Sequence, residues 1–74
     1  MTEVRVGDVY INTFRSNPEP FVVTALKKNV MGISRKGTLV CVYWGNLVPE
    51  KYKLLAHYDT WQEAIASKEF NNAG

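Results

Sequence analysis

Val4-Arg5-Val6-Gly7-Asp8-Val9-Tyr10 alternates apolar residues on either side of a Gly-Asp break, and the reading of this stretch decides the fold. Alternation with period two marks a half-buried strand. Val4, Val6, Val9 and Ile11 keep that period apart from a slip at Gly7-Asp8. The first strand is therefore predicted from about Val4 to Ile11, with a bulge or tight bend at the glycine, which accepts positive φ without a Cβ clash. Asp8 reads as a turn residue.

Outward from this strand the pattern stays β. Asn12 to Pro20 is polar, holds two prolines and has no apolar period, so it reads as a loop. Phe21 to Leu26 is a β-branched and aromatic strand, Lys27-Lys28-Asn29 a turn, Val30 to Ser34 a short strand and Arg35-Lys36-Gly37 the next turn. Thr38 to Trp44 has the strongest strand character, and Gly45-Asn46 ends it. Lys53 to Tyr58 completes a set of five, with Leu54, Ala56 and Tyr58 on one side and Leu55 and His57 on the other. The expected fold is mainly β (α+β): a small five-stranded antiparallel barrel or curled meander.

A short C-terminal helix follows. Thr60-Trp61-Gln62-Glu63 has the form of a capping box, with Asp59 as the alternative cap one residue earlier. Trp61, Ala64 and Ile65 share one face, which must dock on the sheet because a helix this short is unstable alone. Phe70 is expected to join that contact, and 71–74 to fray. Two strands are apolar on both faces, so one face points inward and the other needs a cover. The helix is the first candidate, with a second copy or another partner as alternatives.

A chain of 74 residues is expected to be one domain, because it buries only about 60% of its unfolded surface and cannot divide that into two cores. With 46% hydrophobic and 22% charged residues it lies far from the signature of disorder. Cys41 stands alone and can form no internal disulfide, which favours a reducing cytoplasm. Met1-Thr2-Glu3 lacks a signal peptide's basic region, and the apolar runs fall short of the roughly 20 residues a membrane span needs. A soluble chain with no membrane partner is expected.

Candidate chemistry is sparse. His57 is the only histidine and reads as a strand residue beside Asp59, while Cys41, flanked by valines, reads as a buried inert thiol. One cysteine and one histidine are two ligands short of a structural zinc set, the acidic residues are scattered, and no glycine-rich loop encloses a phosphate. Neither an enzyme nor a cofactor is expected.

Binding residues are more evident. Phe14 and Arg15 put an aromatic and an arginine in the Asn12 to Pro20 loop, a composition enriched at interface hot spots, and Tyr43 lies on the adjoining sheet face. The alternative is that Phe14 plugs one end of the barrel. The formal net charge is only +2, yet no acidic residue falls between Glu19 and Glu50, where Lys27, Lys28, Arg35 and Lys36 carry +4. With Trp44 as a stacking surface these residues describe an alternative nucleic-acid site. Their two turns, however, flank a five-residue strand and lie roughly 16 Å apart at about 3.3 Å per residue. The alternative for Trp44 is a place in the core.

Val4 to Tyr10 resembles the first strand and turn of the SH3-like barrels, the superfamily of KOW, Tudor and small bacterial accessory domains. The later KOW glycines and the Ala-Leu-Tyr-Asp-Tyr pattern of eukaryotic SH3 domains are missing, so the resemblance implies a fold and no ligand. Tyr58-Asp59-Thr60-Trp61-Gln62-Glu63-Ala64, with the small size, is similar to the accessory proteins of bacteriophages and prophages. That implies a module that binds and sterically modulates a host protein, such as a defence factor. A self-associating structural protein, monomer or homodimer, is the further alternative.

Overall fold

In the computed structural model, which describes residues 3–72, the chain forms one five-stranded antiparallel sheet. Its strands are β1 (Asp8–Asn12), β2 (Pro20–Leu26), β3 (Val30–Ser34), β4 (Leu39–Val42) and β5 (Tyr52–His57), in the order β4-β3-β2-β1-β5. The first four are a meander. β5 returns to pair with β1, and no ladder joins it to β4 among the described residues. The expected mainly β architecture is present, as an open sheet.

The opening strand is shorter than its alternation predicts. Val4-Arg5-Val6 lies outside the ladder, and the Asp8 N–H donates to the Arg5 carbonyl at 3.1 Å, so the chain turns before β1 begins. Gly7 has φ +96°, and a Cβ there would overlap the Tyr58 carbonyl. Its own N–H donates to the Val23 carbonyl at 2.9 Å, and its carbonyl accepts from the Tyr58 N–H at 3.0 Å. The glycine thus brings β2 and the end of β5 to the same residue, while Val4 and Val6 still pack on the core.

Two apolar layers result, one on each face. Tyr10, Phe21, Val23, Val30 and Val42 are buried on the first, with Leu47, Tyr52 and Leu54 packed against them. Val9 and Val22 are buried on the second, beneath α1 (Trp61–Ile65) and α2 (Lys68–Asn71). The register shifts between Val9 and Tyr10, where Leu55 is the extra residue on β5. That bulge breaks the expected alternation: Leu54 joins the first layer, and Leu55 shares the second with Tyr58.

The helix expected at the C-terminus is two helices. Thr60, not Asp59, caps α1, its Oγ1 accepting from the Glu63 N–H at 3.2 Å. Ser67 ends the first turn and starts the next: its hydroxyl donates to the Ala64 carbonyl at 2.6 Å and accepts from the Phe70 N–H at 3.2 Å. Helices of five and four residues are marginal alone. Burying Phe70, at about 2–3 kcal/mol for a large apolar side chain, offsets that cost. Of the stretch 71–74 expected to fray, Asn71 closes α2 and donates to the Ile65 and Ser67 carbonyls. Residues 73 and 74 lie outside the described residues.

Candidate interaction surface

The connection from β4 to β5 walls a concavity. A 3-10 turn spans Trp44–Asn46, the Lys51 and Tyr52 N–H groups both donate to the Val48 carbonyl, and the Thr13 N–H donates to the Lys51 carbonyl at 2.7 Å. The connection is thereby tied to the end of β1. Between it and the sheet lies a cleft of about 580 Å³, walled by Trp44, Leu47, Val48, Pro49, Tyr52 and Leu54. This volume is in the range of small-ligand and side-chain pockets.

Phe14 stands beside the cleft. Its ring meets Tyr52 edge-on at 5.7 Å between centroids, and Tyr52 in turn meets Phe21 edge-on at 5.8 Å. Arg15 lies over the outer face of Phe14 at 5.4 Å. Phe14 remains 50% exposed, so it does not plug the sheet. Tyr43 is 66% exposed at the end of β4 and reaches this site only through its chain neighbour Trp44. Asn12 Oδ1 is a buried acceptor with no hydrogen-bond partner among the described residues, in the wall of a second cavity of about 180 Å³ beside Arg15 and Tyr52.

The basic residues divide into two groups. Trp44 Nε1 donates to the Lys27 carbonyl at 3.2 Å, which sets the Lys27-Lys28 turn against the indole. Arg35 and Lys36 flank the other end of β3, where Arg35 donates to the Asn71 carbonyl at 3.2 Å and Lys36 pairs with Glu19 at 3.4 Å. Only half of the alternative nucleic-acid set is assembled in one place. Trp44, at 43% exposed, is not a core residue as the apolar run around it allowed, because the chain leaves β4 at Val42 and turns outward.

Asp8 is not a turn residue: it opens β1, fully buried, with Oδ1 2.6 Å from Nδ1 of His57, its cross-strand neighbour on β5. A carboxylate only accepts, so the imidazole carries its proton on Nδ1. Asp8 Oδ2 accepts from the Arg5 N–H at 2.9 Å and from the Tyr10 hydroxyl at 3.4 Å. Burial first, then the Asp8 charge and this hydrogen bond, push the Tyr10 phenol up from 10.0 to about 12, with Arg5 opposing. His57 is thus held by Asp8 across the ladder rather than set beside Asp59. The pair thereby joins the start of β1 to the end of β5.

Cys41 is exposed, contrary to its valine-flanked setting, because β4 is an edge strand and Cys41 points away from the core. No cluster of three or more potential metal ligands occurs among the described residues, and no helix there is long and apolar enough to cross a membrane.

The cleft itself was not anticipated. Its signal is Leu47-Val48-Pro49, apolar residues in a segment that cannot be a strand. Set against protein-family models, curated proteins and solved structures, the chain matches none.

Proposed function

We propose that the chain is a protein-binding module that receives an apolar segment of its partner in the cleft between Trp44 and Tyr52. Phe14, Arg15 and Tyr43 form the surrounding contact surface. The observation that carries this reading is the cleft with half-exposed Trp44 in its wall and half-exposed Phe14 packed on Tyr52, a second wall residue. Aromatic anchors desolvated in a concave site hold most of the energy of protein interfaces. Lys53 at the cleft and Lys27-Lys28 beside Trp44 favour a partner segment with acidic flanks. The action is steric occupation of another protein, the role of a phage-encoded accessory protein on its host.

The test is capture from a nuclease-treated bacterial lysate by the wild-type chain, by Trp44→Ala and by the double variant Phe14→Ala/Arg15→Ala. Specific capture that both variants lose, with unchanged circular dichroism, is expected. Undiminished capture by both refutes the site. The juxtaposition of Trp44 with Lys27-Lys28 favours one second reading, single-stranded nucleic acid stacked on the indole, which predicts affinity falling steeply with salt.

A further inference from the structure

The two edges of the sheet are chemically unlike, and β4 is the one without charge. The Ser34 N–H donates to the Thr38 carbonyl at 2.9 Å, which fixes the phase of the β3–β4 ladder. With Gly32 opposite Val40 and Val30 opposite Val42, alternation makes these the bonded pairs. The N–H and C=O of Leu39 and Cys41 therefore point away from β3, toward an edge with no neighbouring strand among the described residues.

The side chains at this edge repeat the same two-residue logic. Leu39, Cys41 and Tyr43 all lie on the outward face, and Leu39 and Tyr43, at 78% and 66%, are the most exposed large apolar side chains among the described residues. No charged residue occurs from Gly37 to Pro49, and β4 contains no proline. Charge and proline are the usual devices that stop edge strands from pairing. Their absence also means that two copies meet here without like-charge repulsion, despite the net charge of +2.

We propose that β4 pairs antiparallel with β4 of a second copy about a two-fold axis at Cys41. A two-fold axis normal to the sheet keeps the two faces in register only when a residue lies opposite itself, which leaves Val40 and Cys41 as the central candidates. The Cys41 centre sets Leu39 opposite Tyr43 of the second copy, twice, so the two most exposed apolar side chains cover each other. Val40 then faces Val42. The outward amides and carbonyls of Leu39 and Cys41, with the Tyr43 amide, extend the ladder, while the Tyr43 carbonyl already accepts from the Asn46 N–H at 2.9 Å. The Val40 centre would pair Leu39 with Cys41 and leave Tyr43 uncovered.

Sedimentation equilibrium in reducing buffer over a range of concentrations tests this, with two variants. Leu39→Lys removes both Leu39–Tyr43 pairs and is expected to weaken the dimer about tenfold, at a few tenths to one kcal/mol per cross-strand pair. Cys41→Pro removes a donor at the free edge, where proline is tolerated within the monomer, and is expected to abolish dimerisation while leaving circular dichroism unchanged. A wild-type chain that stays monomeric up to its solubility limit overturns the proposal. So does a dimer undiminished by Leu39→Lys. Neither Leu39 nor Cys41 lines the cleft, and Tyr43 alone is shared with the contact surface proposed above, so capture lost with Trp44→Ala but kept with Leu39→Lys separates the two readings.

Discussion

β5 and β4 are the two outer strands of one sheet, and they treat exposure in opposite ways. β5 carries Lys53 at its surface and a bulge at Leu55, and its last residue, His57, is clasped to the buried carboxylate of Asp8. β4 carries no charge, no bulge and no side-chain clasp, and its outward positions are leucine and cysteine. A protein that needed both edges silent would protect both. A buried carboxylate thus anchors the outer strand that returns to β1, while the two most exposed large apolar side chains among the described residues, Leu39 and Tyr43, lie on or just past β4.

The largest expected effect breaks the protected side. Asp8→Ala leaves the buried Tyr10 hydroxyl, the Arg5 amide and the part-exposed His57 imidazole without their acceptor, and losing the partner of such donors costs about 1–3 kcal/mol. Chemical denaturation should show that loss directly, and hydrogen exchange should show β5 opening first. A cost below about 1 kcal/mol, the size of an exposed ion pair, would mean that the bulge and the Gly7 contacts hold β5 unaided.

Alkali offers a gentler attack on the same cluster. The folded chain keeps the Tyr10 proton to about pH 12, whereas an unfolded tyrosine loses it near 10.0, so stability is full below pH 10 and declines as pH rises toward 12. Phenolate absorbance followed with circular dichroism should show one tyrosine ionising late and together with unfolding. Tyr10→Phe should remove that late step. If all four tyrosines ionise together near their ordinary value, neither burial nor Asp8 holds the Tyr10 proton.

The smallest effect belongs to the open side. Leu39→Lys replaces a side chain that is 78% exposed, and surface changes of this kind stay within about 0.5 kcal/mol. Measured at dilution, where any dimer has dissociated, the denaturation midpoint should therefore hardly move. A large loss would mean that Leu39 packs within its own molecule, and the contrast between the edges would weaken.

Much of the strand order was legible in period-two alternation and in turn residues, because Lys27-Lys28-Asn29 and Arg35-Lys36-Gly37 leave a chain few other courses. Thr60 and Glu63 announced the helix start for the same local reason. What could not be read locally was decided across the sheet. Asp8 follows a glycine and so resembles a turn residue, yet its burial depends on His57, which is 49 residues away in sequence. Cys41 sits between valines that face the core, and only the sheet order shows that β4 is an edge. The cleft depends on Thr13 holding the β4–β5 connection in place, a contact with no signature in either segment.

The two tryptophans occupy opposite faces of the sheet: Trp61 packs with the helices over Val9 and Val22, and Trp44 stands at the cleft with its N–H on Lys27. The molecule thus holds one indole for each apolar layer. Their emission should separate under a neutral aqueous quencher, which reaches the half-exposed indole first. Occupation of the cleft then becomes a signal in the unlabelled protein, with the helix-side indole as its internal standard.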